Sequence, residues 1–329
     1  MSIYLNNGKI NKPFAYMGSK RLVIDKVLET VQELKEQGAT NFYDMFAGSA
    51  FVSINVKHKL PDLHVEADFC DKAMKCVFLE DTINITDEIL KVKRVLCDAL
   101  NLPITAKLDT RKMHAEYRAK QKAGEDENNT DWAKIKRAYK TKILNKKYCE
   151  CCGRLLPKTG EVSEEMYLFY NLFFSIRGGG DSLNVSPPLD KAQDLEQYKR
   201  ELHKIDVIRH KEFTGEEKRE NTIFFLDPPY LNSIRTGAVT GSAIYLEKAP
   251  PFTHEHGAKL LELIEDNLGN GNSFFIFGSR GDYLDEFVTG NKRISELYKV
   301  EEMDTGKKRN TCGITYKSKE YGYILKPKK

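Results

Sequence analysis

The sequence lacks the usual marks of membrane and secreted proteins. No apolar run approaches the ~20 residues that a membrane helix needs, and the opening Met1 to Asn7 is not a signal peptide. The seven cysteines are odd in number and scattered, which favours reduced thiols over a disulfide framework. We therefore expect a soluble, cytoplasmic protein without a membrane partner.

Composition and charge indicate a folded protein with one unevenly charged region. The 329 residues, 40% hydrophobic and 30% charged, are enough for one large domain and a smaller lobe. The net charge is only +4, yet the segment from Lys107 to Lys147 holds 13 Lys/Arg against 6 Asp/Glu. Such an excess is typical of a surface for a polyanion, and equally of solvated helices.

A rigid corner follows one predicted buried strand. The apolar run Ile223 to Leu226 is typical of a parallel strand covered on both faces. Directly after it come Asp227, Pro228, Pro229 and Tyr230. A residue before proline favours extended backbone, and proline has no N–H to donate. The corner therefore offers a carboxylate, a carbonyl and a ring at the edge where open α/β sheets bind ligands.

These groups suit methylation of an exocyclic amine on a nucleobase. The Asp227 carboxylate and the Pro228 carbonyl could accept both N–H groups of adenine N6, so that the nitrogen lone pair faces an electrophilic methyl group. Tyr230 could stack on a base that has left the duplex. Catalysis would then come from positioning and electrostatics. A plain proline turn with Asp227 as a cap is the alternative, so the motif needs support elsewhere.

The first βα unit has the form of a nucleotide site. A helix is predicted from Ser19 to Gly38, then a strand over 41–46, and a turn at 47–50 into a helix toward Lys59. Such a turn brings backbone N–H groups and a helix amino end to a ligand. The GxGxxG pattern is missing, which disfavours NAD.

An acid near the end of the second predicted strand is a candidate ligand for a ribose. The strand spans His64 to Phe69, and Asp68 follows the glycine turn by about 20 residues, where an acid can bind ribose hydroxyls. Asp68 or Asp71 could instead cap the next helix. The remaining predicted elements are strands at 207–213 and 273–277, a helix at 253–267, and antiparallel strands at 297–305 and 321–325 joined by a turn with Lys307, Lys308 and Arg309.

The middle of the chain is predicted to be mostly helical, with two ambiguous segments. Gly124 to Thr130 forms an exposed break between two basic helices. Cys149 and Cys152 have the spacing of half a zinc site, but no second pair follows, so Cys151 and a distant histidine would be needed. We favour a turn with reduced thiols and no metal. Arg177 lies in a glycine-rich loop that could touch phosphates or could be a connector.

Three separated motifs resemble the Dam-like adenine-N6 DNA methyltransferases. They occur in the family's order: Pro13-Phe14-x-Tyr16-x-Gly18-x-Lys20, Asp44-x-Phe46-x-Gly48-Ser49 and Asp227-Pro228-Pro229-Tyr230. The resemblance covers roughly residues 12–80 and 205–326. Ser19 and Ala50 stand where relatives commonly have glycine, and the cysteine cluster is not a family feature.

The resemblance implies the fold and the domain organisation. The expected fold is α/β, a Rossmann-like S-adenosylmethionine-dependent methyltransferase: a mostly parallel seven-stranded sheet with one antiparallel strand, plus a mainly helical target-recognition lobe. Residues 1–80 and 206–329 would form the catalytic domain, and 81–205 the inserted DNA-binding lobe. The partner would be double-stranded DNA, with a cognate restriction endonuclease acting separately, and the chain would be a monomer.

The resemblance also assigns roles to individual residues. The cofactor S-adenosylmethionine would lie against Tyr16, Gly18, Lys20 and the Asp44 to Ser49 turn with Phe46 and Gly48. Asp68 would hold its ribose, Phe213 would belong to a strand-end pair, and Asp227 would lie between cofactor and adenine. Lys134, Lys136, Arg137, Lys140 and Arg177 are the candidate DNA contacts. Methylation of cytosine N4 or of RNA adenine, and a catalytically silent DNA-binding relative, are the alternatives.

Overall fold

The computed structural model describes most of the chain as two compact units. It covers residues 8–11, 13–14, 20–69, 74–80, 82–145, 162–174, 183–184, 187–229, 252–311 and 314–328, and for 306–311 and 314–320 it describes the backbone. The helical unit comprises Met1, Pro13–Met17 and Lys75–Tyr198, and the sheet unit comprises Ser2–Lys12, Gly18–Met74 and Lys199–Lys329. Pro13 and Phe14 thus belong to the helical unit, whereas the sequence grouped them with the catalytic domain. The functional roles of the two units stay predictions.

A seven-stranded sheet forms the sheet unit. Its strands lie in the order β3-β2-β1-β4-β5-β7-β6. They are β1 (Asn41–Asp44), β2 (His64–Phe69), β3 (Val207–His210), β4 (Thr222–Leu226), β5 (Ser273–Ser279), β6 (Tyr298–Thr311) and β7 (Ile314–Pro327). Strands β1 to β5 pair in parallel, and β7 runs antiparallel to both β5 and β6. The predicted mostly parallel sheet with one antiparallel strand is confirmed, and its topology is compatible with a Rossmann-like fold.

The strand order reverses between β1 and β4. From β1 the chain moves outward to β2 and β3, and then returns to add β4 on the other side of β1. At such a reversal the loops after the two strands diverge, which opens a crevice at their carboxyl ends. Asp44 is the last residue of β1 and Asp227 directly follows β4, so both lie at this crevice.

Helices flank the sheet and build the second unit. The described α-helices are α1 (Ile24–Glu36), α2 (Phe51–Lys59), α3 (Ile85–Asp98), α4 (Thr110–Ala123), α5 (Asp131–Ala138), α6 (Glu164–Phe174), α7 (Ala192–Leu202), α8 (His254–Asn267), α9 (Tyr283–Gly290) and α10 (Lys292–Leu297). Two π-helical segments, Lys75–Leu79 and Tyr139–Ile143, accompany them. Among the described residues, no helix combines the length and apolarity required to cross a bilayer.

The sheet is buried on both faces at its centre. Every residue of β4 and β5 is buried, and the rings of Phe224 and Phe274 stack with centroids 5.1 Å apart. This explains why the sequence of β4 is uniformly apolar rather than alternating. The burial fixes the end of β4, and with it the position of Asp227.

Several predicted boundaries differ from the structure. Helix α1 begins at Ile24, later than the predicted start at Ser19, and has no side-chain cap. The predicted cap Ser19 lies outside the described residues. β3 ends at His210 rather than at Phe213. β6 and β7 are longer than predicted, so Lys307, Lys308 and Arg309 belong to β6 and not to a turn.

The helical unit has an aromatic core and one nearly unburied helix. Phe14 packs against Phe78, Phe173 and Tyr198 with centroids 5.4 to 5.6 Å apart. Helix α4, by contrast, has 14 residues of which only Thr110 is buried. Gly124 ends α4 with φ 70°, and the Thr130 side chain caps α5, which confirms the predicted break between two basic helices.

Candidate active site

Three candidate acids lie at the carboxyl edge of the sheet. The register places Asp44 of β1 opposite Ala67 of β2 and opposite Phe225 of β4. On the β2 side, Asp68 lies one residue beyond Ala67, the residue paired with Asp44. On the β4 side, Asp227 lies two residues beyond Phe225, which also pairs with Asp44. The predicted candidates on three different strands are thereby brought to one edge.

Lys20 forms an ion pair with the candidate catalytic carboxylate. Its Nζ donates to Oδ2 of Asp227, and the Lys20 side chain is only 2% exposed while that of Asp227 is 17% exposed. The ammonium also lies 4.8 Å from the ring centroid of Phe277 on β5. A buried ammonium requires such a partner because desolvation alone would penalise its charge. The pair therefore fixes the Asp227 carboxylate at the mouth of the crevice.

The two prolines after Asp227 continue the rigid corner. Pro228 is buried and Pro229 is partly buried. Because neither ring nitrogen carries a hydrogen, the backbone at this corner offers acceptors but no donors. Tyr230, the predicted stacking partner of the base, lies outside the described residues.

Asp44 is a buried acid with one unsatisfied oxygen. Its side chain is 2% exposed, and the Ser53 hydroxyl donates to Oδ2 at 2.6 Å. Among the described residues, Oδ1 has no hydrogen-bond partner. Burial raises the pKa of Asp44 to about 7, and the charges of Asp227 and Asp68 act in the same direction. Hydrogen bonding from the Ser53 hydroxyl and from the Phe46 backbone lowers this pKa but does not outweigh the burial. A buried acceptor without a donor is costly, which makes Oδ1 a candidate contact for a ligand N–H.

The turn after β1 is held between its two neighbouring strands. The Met45 amide donates to the Phe225 carbonyl at 3.3 Å, and the Ala47 amide donates to the Asp68 carbonyl at 3.1 Å. Gly48 and Ala50 both have positive φ, 52° and 56°. Such a conformation is unfavourable for alanine, and strained backbone of this kind clusters at ligand sites. Ala50 is thus in a conformation that suits the glycine common at its position in the resembled family.

The turn leads into helix α2 as predicted. Ala50 is its amino-terminal flanking residue, and the first helical residue is Phe51. Ser49 is buried at 4% exposure. The amino end of α2 therefore starts at the crevice, where its free backbone N–H groups favour a negatively charged or polar ligand.

Asp68 belongs to a charge network between β1, β2 and β3. It is 5% exposed, Arg209 Nε donates to its Oδ1 at 2.8 Å, and the Tyr43 hydroxyl donates to its Oδ2. Lys211 Nζ lies 3.4 Å from the same Oδ2. Both carboxylate oxygens are thus engaged, so a ribose hydroxyl would have to share them. The predicted ribose contact stays a prediction, and sequence reasoning missed Arg209 and Lys211.

Glu66 forms the second half of this network. Arg209 Nη2 donates to Glu66 Oε2 at 2.6 Å and Arg219 Nη1 to Oε1 at 2.6 Å. The Arg219 guanidinium also lies 4.0 Å from the Tyr43 ring centroid. Burial by itself raises the pKa of Glu66, but the hydrogen bonds from Arg219 and Arg209 outweigh it and lower that pKa to about 2. The network joins β3 to the sheet edge beside the crevice.

A small cleft opens next to Asp68. Its polar and apolar lining comes from the ends of β1 and β2 and from the segment after β3: Met45, Asp68, Lys211, Glu212, Phe213, Thr214, Gly215 and Glu217. Phe213 packs against Phe46 with centroids 5.4 Å apart, and Phe252 lies 5.7 Å from Phe46. Two predicted cofactor residues, Phe46 and Phe213, are thus in contact, and Phe252 completes an aromatic wall that the sequence did not suggest.

The candidate DNA contacts lie on α5 and directly after it. Lys134 and Arg137 are exposed, and Lys136 and Lys140 are partly buried. Lys136 Nζ lies 5.8 Å from the ring centroid of Tyr117 on α4. The sequence did not suggest the exposed cations of helix α4 as DNA contacts, although they carry the same charge and are less buried. These residues are Arg111, Lys112, Arg118, Lys120 and Lys122.

The remaining candidates cannot be placed. Tyr16, Gly18 and Arg177 lie outside the described residues, as do Cys149, Cys151 and Cys152. Within the described part of the chain, no group of three or more His, Cys, Asp or Glu side chains could hold a metal ion. Cys76 and Cys97 are buried free thiols.

Comparison with protein-family models and with curated proteins gave no match. No family model matches the chain. No curated protein matches it either. The assignment of a function therefore depends on the residues and on the geometry of the site.

Proposed function

We propose that the protein is an S-adenosylmethionine-dependent DNA methyltransferase that acts on the N6 amine of a flipped-out adenine. The observation that carries the proposal is the position of Asp227-Pro228-Pro229, directly after β4 at the strand-order reversal, with the carboxylate paired to Lys20. A proline turn with a capping acid would not need a buried ammonium to hold that acid at the crevice. The resemblance of the three motifs to the Dam-like enzymes points to the same chemistry.

The residues beside the corner fit S-adenosylmethionine. The unsatisfied Asp44 Oδ1 could accept from an amine, the amino end of α2 could meet a polar ligand, and Phe46 and Phe213 offer an apolar wall for an aromatic base. Asp68 would be the ribose acceptor. When bound, the cofactor would supply an electrophilic methyl group.

The protein's own part in the reaction is to position the amine and to stabilise developing charge. The Asp227 carboxylate and the Pro228 carbonyl would accept the two N–H groups of the extruded base and hold the nitrogen lone pair toward the methyl donor. Positive charge develops on that nitrogen as the bond forms, and the Asp227 carboxylate stabilises it. Lys20 keeps the carboxylate oriented through its contact with Oδ2.

The helical unit would supply the DNA contacts. Its helix α4 exposes nearly all of its length and is rich in Lys and Arg. A helix with so little apolar burial gains little from packing, and we infer that a partner with complementary charge stabilises it. Double-stranded DNA is that partner in this proposal.

The Asp227→Ala variant tests the proposal. We expect its transfer of radiolabelled methyl groups from S-adenosylmethionine to DNA to fall at least about 100-fold, since preorganised electrostatic contacts are typically worth that much. Because the change leaves the buried Lys20 ammonium without its partner, the variant should be less stable than wild type by about 3–5 kcal/mol. Urea titration and S-adenosylmethionine binding therefore establish that it is folded under the assay conditions. The matched control is Asp62→Ala, an acid that is 86% exposed, which should retain full activity.

Parallel substrates separate the proposal from its alternatives. The wild-type chain would be assayed under the same conditions with four kinds of substrate: duplex DNA without cytosine, duplex DNA without adenine, RNA and protein. Methylation confined to DNA adenine supports the proposal. Methyl transfer to cytosine N4 or to RNA would show that the substrate is not DNA adenine. Binding of DNA without any methyl transfer would identify a catalytically silent DNA-binding protein.

A further inference from the structure

The last two strands continue beyond the sheet as a two-stranded ribbon. β7 pairs with β5 only from Leu325 to Glu320, whereas β6 and β7 remain paired up to Thr311 opposite Ile314. We call residues 306–311 and 314–319 the terminal ribbon. Among the described strands, none but β6 and β7 pair along this stretch. A lone two-stranded ribbon is only marginally stable in water, so its length calls for an explanation.

The terminal ribbon leaves the sheet at the edge that carries the candidate active site. Glu320 pairs with Ser279, the last residue of β5, and β5 runs parallel to β4. The ribbon therefore extends past the carboxyl ends of the parallel strands, the same edge at which Asp227 follows β4. Six further residues at the usual rise of a strand give it a reach of roughly 20 Å.

The terminal ribbon is cationic along its whole length. Residues 306–319 include five Lys/Arg and no Asp or Glu, and the nearest acids, Asp304 and Glu320, lie just outside it. The backbone register places Lys308 opposite Lys319, between two register shifts that separate this position from Asp304 on one side and from Arg309 on the other. Five cations without an acid in so short a segment favour an anionic partner.

We propose that the terminal ribbon binds the phosphate backbone of duplex DNA beside the candidate active site. The proposal rests on the proposed function, and it adds a DNA contact on the sheet unit itself. A two-stranded ribbon fits the major groove, and phosphate contacts from Lys and Arg fix the register of a protein on the duplex. Bound there, the ribbon would hold the duplex next to the corner that receives the extruded base. The competing explanation is that these lysines only prevent edge-to-edge association of strands, which needs no DNA.

A charge-neutral triple variant tests this proposal in the full-length chain. It combines Lys308→Gln, Lys317→Gln and Lys319→Gln. The matched control combines Lys59→Gln, Lys218→Gln and Lys299→Gln, three exposed lysines at the amino-terminal edge of the parallel strands. Affinity for duplex DNA is measured by fluorescence anisotropy over a series of salt concentrations, and S-adenosylmethionine affinity is measured separately.

The expected result is a loss of DNA affinity with a shallower salt dependence. Each lost phosphate contact removes about 0.9 from the slope of log affinity against log salt, so we expect a decrease of about 2 to 3 and at least a tenfold weaker affinity at low salt. Cofactor affinity and the control variant should not change. An unchanged slope in the ribbon variant overturns the ribbon proposal, while methylation of DNA by the wild type leaves the proposed function intact.

A second measurement on the wild type removes any dependence on the folding of the variant. Lysines are acetylated with a labelled reagent in the absence and presence of duplex DNA or of RNA, and the modified positions are identified by mass spectrometry. Protection of Lys308, Lys317 and Lys319 by DNA supports the proposal. Lack of protection, or protection by RNA alone, overturns it. A wild-type chain that neither binds nor methylates DNA overturns both the ribbon proposal and the proposed function.

Discussion

Lys20 links the amino-terminal segment of the sheet unit to the carboxylate on which the proposed chemistry depends. The two residues of the pair are separated by 207 positions in the chain, and the lysine is almost fully buried. Removal of one partner of such a pair leaves the other charge without compensation in a poorly solvated place. The resemblance suggested Lys20 as a cofactor contact, and the structure adds that it positions Asp227.

Replacement of Lys20 should affect turnover more than folding. Lys20→Met should lower the rate of methyl transfer at least about tenfold and the free energy of unfolding by about 1–3 kcal/mol, because Asp227 is only partly buried and water can solvate it. Lys20→Arg should recover part of the activity, since the charge returns. Urea titration and single-turnover methylation measure the two effects. Lys35→Met, which removes a surface pair at 3.6 Å, is the control and should change stability by at most about 1 kcal/mol. Wild-type turnover in Lys20→Met would contradict a positioning role.

Asp44 makes the stability of the protein depend on pH in the direction opposite to that of a paired acid. Its pKa is raised from 3.8 to about 7, so between these values the folded state holds a proton that the unfolded state releases. Stability then falls as the pH rises through this interval. The cause is the cost of a buried carboxylate with one oxygen unsatisfied.

The Asp44→Asn variant should remove this dependence. The amide has the same shape and can still accept from Ser53. Between pH 4 and pH 8 the wild type should therefore lose up to about 4 kcal/mol of stability relative to the variant. Urea titrations at a series of pH values measure the difference, with Asp62→Asn as the exposed control. A constant difference across this range would show that Asp44 is ionised in the folded protein throughout.

At the level of elements, the network of Glu66 and Asp68 holds the edge strand β3 in the sheet. β3 has only four residues, all of them partly or fully exposed, so apolar burial contributes little to its attachment. Arg209 of β3 pairs with Glu66 of β2. Glu66 in turn pairs with Arg219, in the segment before β4. Charge-assisted hydrogen bonds thus stabilise the strand whose following segment lines the cleft.

Glu66→Gln should weaken this attachment in a pH-dependent way. The folded pKa is lowered to about 2 from 4.5, so the stabilisation is complete above about pH 4.5 and is lost as the pH falls toward 2. At pH 7 the variant should be less stable by about 2–3 kcal/mol, and wild type and variant should converge in acid. Chemical unfolding at pH 7 and at about pH 3 checks this. The exposed Glu286→Gln on α9 is the control and should stay within about 0.5 kcal/mol. Equal stability at pH 7 would contradict the role of the network.

At the scale of the whole molecule, positive charge is concentrated in the segment from Lys107 to Lys147 of the helical unit and in the terminal ribbon rather than spread evenly. The net charge of +4 conceals this, since the segment from Lys107 to Lys147 alone has an excess of 7 positive charges. A concentrated charge raises the local density of a polyanion and steers its approach, whereas an even distribution with the same total would not.

Neutralisation of the cations on and after α5 should weaken DNA binding uniformly across sequences. With Lys134, Lys136, Arg137 and Lys140 all replaced by Gln, the salt slope should become shallower by up to about 3 to 4. Cofactor affinity should not change. Anisotropy titrations at several salt concentrations measure the slope, and the triple variant of Lys59, Lys218 and Lys299 again serves as the control. An unchanged slope would remove these side chains from the DNA surface.

Much of the framework could be predicted because local patterns encode it. The apolar runs of β4 and β5, the glycine-containing turn before α2 and the break at Gly124 follow from burial, backbone conformation and capping. Strand ends were less predictable. β3 stops at His210 and does not reach Phe213, because Phe213 packs against Phe46 and Phe252 instead of pairing in the sheet.

The sequence by itself determined the kind of protein: an α/β chain with a proline-locked acid after a buried strand and an uneven positive charge. These properties depend on residue type and on short-range periodicity, both of which can be read directly from the amino-acid sequence. Only the tertiary structure decided that Lys20 meets Asp227, that Asp44 has an unsatisfied oxygen, that Arg209 engages Asp68, and that the terminal ribbon leaves the sheet at the candidate active site. Each of these depends on strand order and register, which bring together residues distant in the chain and which no local pattern specifies.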